Sequence, residues 1–271
     1  MYTFLLFLVS LIWGSTFFII KDTVTTVDES FIVFVRTGLA FGALLLFHLA
    51  RNPKKLLDKK AFLYGSVLGI LLASIYLSQT IGLKFTSTGH SAFITGSAVI
   101  IVPFLLFTIW KTKLFKIDLI AVGIVITGLF FLTYDFKTQI NQGDLITLIT
   151  AISLAFHIVF AQQFVKKTDA AMIVTYQFFA AMVVSFIAFQ FTNDSELIIN
   201  SKGWYSLIYL GLIGTLVCYF ITVWVQKYVP AIRVSIILAT EPLFAALCSY
   251  IFINEKLTTR ELLRPGLTSP A

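Results

Sequence analysis

The chain has 271 residues, of which 58% are hydrophobic and only 12% charged, with 28 Phe and a mean hydropathy of +0.94. Soluble domains carry about 25% charged residues, so this composition excludes an ordinary soluble domain. The formal net charge of +7 does not point to nucleic acid, because the basic residues fall in short loops between apolar runs.

Those runs approach the ~20 residues that a helix needs to cross a ~30 Å hydrocarbon core. None shows the ~10-residue alternation of a transmembrane barrel. The class is therefore an all-α polytopic membrane protein. Residues 1–20 lack a basic n-region and a small-residue cleavage site, and read as a retained first span rather than a signal peptide. The expected spans are 3–20, 30–49, 62–81, 88–110, 117–134, 144–165, 170–190, 204–226 and 231–253. Cys218 and Cys248 both lie inside such runs and read as small buried hydrophobes.

Lys and Arg set the expected orientation. They gather in the even-numbered loops, as Arg51, Lys54, Lys55, Lys59 and Lys60, then Lys111, Lys113 and Lys116, then Lys166 and Lys167, then Lys227 and Arg233. The odd-numbered loops hold only Lys21, Lys84, Lys137 and Lys202 before the terminal stretch. The positive-inside rule then places the N-terminus in the cytoplasm. Trp110, Tyr134 and Trp204 fall at span ends, where aromatic belts form.

The last run carries a carboxylate, Glu241, in its middle, followed directly by Pro242. An ionised acid at a bilayer centre costs at least about 2.5–3.5 kcal/mol, so such a residue marks either a functional site or a buried structural pair. A proline there also frees a backbone carbonyl that neighbours, water or a ligand must satisfy.

The chain also repeats. Residues 62–119 lie over 205–262 without a gap, pairing Tyr76 with Tyr219, Lys84 with Lys227 and Ala98 with Glu241, and residues 13–36 lie similarly over 154–177. A five-span unit is odd-numbered, so its second copy enters the membrane inverted, as in many secondary transporters with a midplane site. The repeats are 1–138 and 139–271. A partner for the fifth span is expected from about Arg260, but the sequence there reads RELLRPGLTSPA. The tenth helix is therefore expected to be missing or truncated.

Trp13-Gly14-Ser15-Thr16 in the first span, Arg36 in the second, Glu241-Pro242 with Leu243-Phe244-Ala245-Ala246-Leu247 in the ninth, and Asn254-Glu255-Lys256-Leu257 together resemble the EamA family of the drug/metabolite transporter superfamily. The resemblance implies ten helices in two inverted five-helix bundles, a central cavity, and transport of small metabolites, often amino acids or related compounds.

Arg36 lies about 9 Å inside its span by helix rise. It either snorkels to the interface or faces the cavity and binds an anionic group such as a carboxylate. Tyr76, Gln79, Thr95 and Ser97 in the first half, and His157, Gln177, Tyr219 and Trp224 in the second, are polar positions within spans. Each serves either as helix-to-helix glue or as cavity wall. Trp13 is too deep for an interfacial belt, and with Ser15 it joins the candidate cavity-lining set. Gly38-x-x-x-Gly42 and Gly65-x-x-x-Gly69 read as close-packing motifs.

No catalytic, phosphate-cradling or metal-binding motif is present, so neither an enzyme nor a cofactor is expected. The expected partners are a small-molecule substrate and the lipid bilayer, with no nucleic acid, and a homo-oligomer is left open. The reading is a secondary transporter of the inner or plasma membrane, an exporter of small metabolites by alternating access. The rival is a non-transporting membrane sensor or complex subunit.

Overall fold

A computed structural model of the chain describes residues 1–133, 141–192 and 199–253. The predicted end of the fifth span at Tyr134, Lys137, and everything that bears on a tenth helix, residues 254–271, lie outside the described residues. Every element among the described residues is helical. They are α1 (Tyr2–Thr23), α2 (Glu29–Arg51), α3 (Lys59–Phe85), α4 (Thr88–Gly96), α5 (Ala98–Thr108), α6 (Lys116–Thr133), α7 (Gln142–Phe164) and α8 (Ala170–Gln190), followed by α9 (Ser201–Ile208), α10 (Cys218–Val225), α11 (Ala231–Leu238) and α12 (Glu241–Ile253). A short 3-10 turn, Pro53–Leu57, joins α2 to α3, and a π-helical segment, Tyr209–Val217, joins α9 to α10.

Eight segments among the described residues are long and apolar enough to cross a membrane. The 18-residue helix α6 occupies the place of the remaining expected span, the fifth. Large apolar side chains such as Phe4, Leu46, Phe104, Ile124 and Ile251 stand exposed on the outer faces. A lipid solvent makes that arrangement costless, since the tails are as apolar as the side chains.

Two spans expected to be continuous are interrupted and a third changes helix type, and the cause of the two breaks is local. Span 88–110 breaks at Ser97, between α4 and α5. Span 231–253 breaks between α11 and α12, where Pro242 lacks the N–H that would bond Leu238. The two breaks are built alike. The backbone N–H and the hydroxyl of Ser97 both donate to the carbonyl of Ile94, at 3.1 and 2.6 Å, and those of Thr240 both donate to Ile237, at 3.0 and 2.7 Å. Span 204–226 instead passes through the π-helical turns, a rare geometry frequent at functional sites.

Capping fixes where the helices begin. Asp28 accepts from the N–H of Phe31, Ser87 from that of His90, Asp169 from that of Ala171 and Asn200 from that of Gly203, while Asn141 and Asp144 form a reciprocal capping box. Asp58 does more than cap. One of its oxygens accepts from Lys60 and Ala61, and the other accepts from the Thr168 hydroxyl at 2.7 Å, tying the start of α3 to the α7–α8 turn.

The hydroxyl of Thr168 first, then the Ala61 N–H, hold the Asp58 carboxyl below its usual range against the opposing effect of burial. A depressed folded value means the contribution is fully present above the ordinary carboxylate range and is lost as pH falls through the folded value. Asp58→Ala is expected to cost about 1 kcal/mol. The check is a lowered thermal midpoint in detergent at neutral pH, with the gap to the parent closing on acidification.

The buried apolar side chains form one large cluster and two smaller ones. Helix α3 lies between α7 and α8, α2 packs on α8, and α1 packs on α12, while α4 and α5 pack on α7. Ser74 meets Ser153 at 2.8 Å and Ser78 meets Thr150 at 2.7 Å, two polar rungs between α3 and α7. The sparse loops and the basic-rich loops segregate to opposite ends. At one end Lys84 pairs with Glu29 at 2.6 Å, Lys202 pairs with Asp22 at 2.8 Å, and Lys21 donates to the carbonyls of Leu83 and Thr86. At the other, Lys55 pairs with Asp169 at 3.3 Å, Arg233 with Asp118 at 3.6 Å, and the ring of Tyr2 stacks on Tyr228.

Candidate functional site

The helices converge on a small, partly enclosed cavity. Helix α1 contributes Trp13 and Thr16 and α3 contributes Tyr76 and Gln79, each pair at the i,i+3 spacing that puts two side chains on one helical face. Arg36 enters from α2, Thr95 from α4, Tyr219 from α10 and Glu241 from α12, with Ile75 and Leu154 as apolar wall.

Arg36 does not snorkel. It is 1% exposed, its guanidinium carbon stands 3.6 Å from the centre of the Tyr76 ring, and its Nε donates to the Thr215 hydroxyl at 2.9 Å. The Tyr76 hydroxyl shares that same Thr215 oxygen at 3.1 Å. Ring and hydroxyl hold one edge of the guanidinium in place, and Nη1 is buried with no hydrogen-bond partner. A buried guanidinium with an unused donor is a site prepared for an acceptor, because leaving that donor unpaired costs desolvation energy that a bound anion restores.

The wall is aromatic. The indole N–H of Trp13 donates to the carbonyl of Gly214 at 2.8 Å, within the π-helical turns, and its ring lies 4.9 Å from that of Tyr219. The rings of Tyr76 and Tyr219 meet edge to face at 5.7 Å. Glu241 opens α12 and is 6% exposed. No hydrogen bond or ion pair joins it to any other described residue, Arg36 included, so the Glu241 carboxyl and the Arg36 guanidinium are not locked together.

Seven of the twelve candidates thus come together: Trp13, Arg36, Tyr76, Gln79, Thr95, Tyr219 and Glu241. The other five sit elsewhere. Ser15 bonds the Tyr209 hydroxyl at 2.8 Å, tying α1 to the π-helical turns, and the Ser97 hydroxyl is consumed in the α4–α5 break. His157 and Gln177 bond each other at 2.9 Å behind the cavity, the imidazole lying edge-on to Tyr219. Trp224 packs against Tyr2 and Tyr228 at a helix end. Sequence reasoning missed Thr215, which orients both Arg36 and Tyr76, and Thr16. Neither has a charge to single it out.

Among the described residues no group of three His, Cys, Asp or Glu side chains could hold a metal ion. The arrangement brings together a fixed guanidinium with a free donor, aromatic walls, and a carboxyl without a partner among the described residues.

Comparison with known proteins assigns the chain. The model of the EamA-like transporter family matches residues 1–134 and 141–267. The chain belongs to the EamA-like transporter family. It is 28% identical over 251 residues to an uncharacterized transporter of Archaeoglobus fulgidus, covering 93% of this chain and 78% of the relative. It is 28% identical over 258 residues to the uncharacterized inner membrane transporter YedA of Escherichia coli K12, covering 92% and 78%. To the uncharacterized transporter YdfC of Bacillus subtilis it is 25% identical, covering 93% and 83%. A crystal structure sharing 13% identity superposes with a TM-score of 0.75 over 94% of this chain and 90% of the other, a likeness of fold alone. This EamA-like protein is therefore a multi-pass membrane transporter.

Proposed function

We propose that this protein is a secondary transporter of small carboxylate-bearing metabolites, amino acids or related compounds, exporting them by alternating access around the midplane cavity. The observation that carries the reading is Arg36: buried, oriented by Thr215 and Tyr76, and presenting an unpartnered Nη1 beside the cavity. An anionic group is the natural acceptor for that donor, and the aromatic wall suits an apolar side chain.

The two inverted repeats, 1–138 and 139–271, are part of the proposal. Three observations support them. The family model matches in two separate segments. The breaks at Ser97 and Thr240 use the same hydrogen-bonding device at positions that the repeat superposes. Contacts also pair off when span n is exchanged with span n+5: α1 on α12 corresponds to α7 on α5, and α3 on α7 corresponds to α1 on α10. The segregation of basic loops to the end that holds the N-terminus supports a cytoplasmic N-terminus in an inner or plasma membrane.

The test is reconstitution into liposomes with a panel of labelled amino acids and related carboxylates, measured by counterflow. Saturable, competable exchange is the expected result. No substrate-dependent flux and no thermal stabilisation across the panel would favour the rival, a membrane sensor or complex subunit.

A further inference from the structure

A second, smaller pocket adjoins the first, sharing Thr95, Leu154 and Glu241 with it, and lies where the two broken spans cross. At Gly96 a Cβ atom would stand 3.0 Å from Cγ of Pro242, so the breaks themselves touch. The walls of this cavity are mainly aliphatic, from Val99, Ile158 and Ala239 among others. Among its lining residues, Glu241 brings a carboxyl, Thr95 and Ser235 bring hydroxyls, the latter donating to the Ile232 carbonyl at 2.8 Å, and Leu238 carries the carbonyl whose helical donor Pro242 lacks.

Two of these are out of balance. The Thr95 oxygen is buried with no hydrogen-bond partner, and Glu241 has none among the described residues. A carboxylate, two hydroxyls and a released carbonyl form an all-oxygen donor set, which suits a hard cation rather than a soft metal. The charge decides the valence: one carboxylate neutralises one positive charge, whereas a divalent ion would leave an uncompensated charge in an apolar wall. Discontinuous helices offering unwound carbonyls to a coupling ion are a recurring transporter device.

We propose that Glu241, Thr95, Ser235 and the Leu238 carbonyl form a site for a small monovalent cation, sodium being the probe, distinct from the anion-binding position at Arg36. The proposal rests on the transporter reading only for its consequence, that the ion is coupled to transport. The ion and Glu241 then form a neutral unit in the apolar interior, as do Arg36 and a substrate carboxylate. Because Glu241 lines both cavities, occupancy of one is felt in the other.

Binding is tested on the purified full chain in detergent without substrate. Its thermal midpoint is measured while sodium chloride replaces choline chloride at constant ionic strength and pH. A ligand that binds only the folded state raises stability as RT ln(1 + [L]/Kd). The expected result is a saturable rise with sodium, lost in Glu241→Gln and shifted to about five- to tenfold higher sodium in Thr95→Val, as for removal of one neutral ligand. A saturable change in tryptophan fluorescence with sodium but not choline, lost in Trp13→Phe, gives a second readout that does not depend on how each variant unfolds.

Equal midpoints in sodium and choline would overturn the site. So would an unaltered sodium response in both variants, or stabilisation only by amine-bearing compounds, which would assign Glu241 to a substrate ammonium group. Sodium binding without any flux would leave the site standing and overturn the transporter reading. Flux indifferent to sodium would overturn the coupling and leave the transporter reading standing.

Discussion

Replacing Arg36 by alanine is expected to lower exchange of carboxylate substrates by about ten- to a hundredfold, the range that corresponds to losing one charge-assisted interaction of roughly 1.5–3 kcal/mol. The loss should appear as weaker binding, because Arg36 is preformed: Thr215 and the Tyr76 ring hold it whether or not a substrate is present. Arg36→Lys separates charge from shape. Lysine keeps the positive charge but has no planar fork to stack on Tyr76 while donating to Thr215 and to a ligand together, so it should recover only a minor part of the affinity. Thr215→Val removes the orienting oxygen alone, and its effect should fall between the parent and Arg36→Ala. The measurement is counterflow with a labelled carboxylate beside its amide analogue. If the amide is transported as well as the acid by the parent protein, Arg36 does not read a carboxylate.

What makes Arg36 legible in the sequence is cost. A guanidinium or a carboxylate inside an apolar run announces itself, and so Arg36 and Glu241 stand out together with the polar and aromatic residues that share their cavity. Thr215 does not, because a threonine within a membrane helix is cheap and common. Its role depends on the π-helical turns that bring it to Arg36, and no periodicity in the apolar run at 204–226 announces those turns. His157 and Gln177 show the converse. Both carry polar groups that should matter, yet they bond one another at 2.9 Å behind the cavity, where the imidazole backs Tyr219 and the Gln177 amide nitrogen has no partner. The order of the spans is readable from hydropathy alone. The interruption of two of them needs the proline and hydroxyl positions to be weighed against a continuous helix, and in span 88–110 the device is a serine hydroxyl that pattern reading passes over.

The two small-residue motifs carry the same lesson to a prediction. Gly38-x-x-x-Gly42 and Gly65-x-x-x-Gly69 are equivalent as sequences, but only the second meets another backbone. A Cβ on Gly65 would stand 2.5 Å from Cβ of Tyr176 and 2.6 Å from the carbonyl oxygen of Ile173, and one on Gly69 would collide with the carbonyl of Gln177 and lie 2.6 Å from Cβ of Ala180. These are contacts with backbone and Cβ atoms of α8, which no change of rotamer relieves. Gly69→Ala should therefore push α3 away from α8 and cost about 1–3 kcal/mol as overpacking. Gly65→Ala/Gly69→Ala together should leave little folded protein to purify. A Cβ on Gly42 would meet nothing within 4 Å, and one on Gly38 would have the flexible Met182 sulfur as its nearest neighbour, at 3.6 Å. Gly42→Ala should be neutral, or gain up to about 1 kcal/mol from helix propensity. Thermal midpoints of the single variants in detergent decide the matter, and equal losses at Gly42 and Gly69 would show that the α3–α8 contact is not the close one. The consequence reaches the site. Because α3 carries Tyr76 and Gln79, a displaced α3 withdraws the ring from Arg36, so the fraction of Gly69→Ala that does fold should bind carboxylates more weakly, whereas Gly42→Ala should bind them as the parent does.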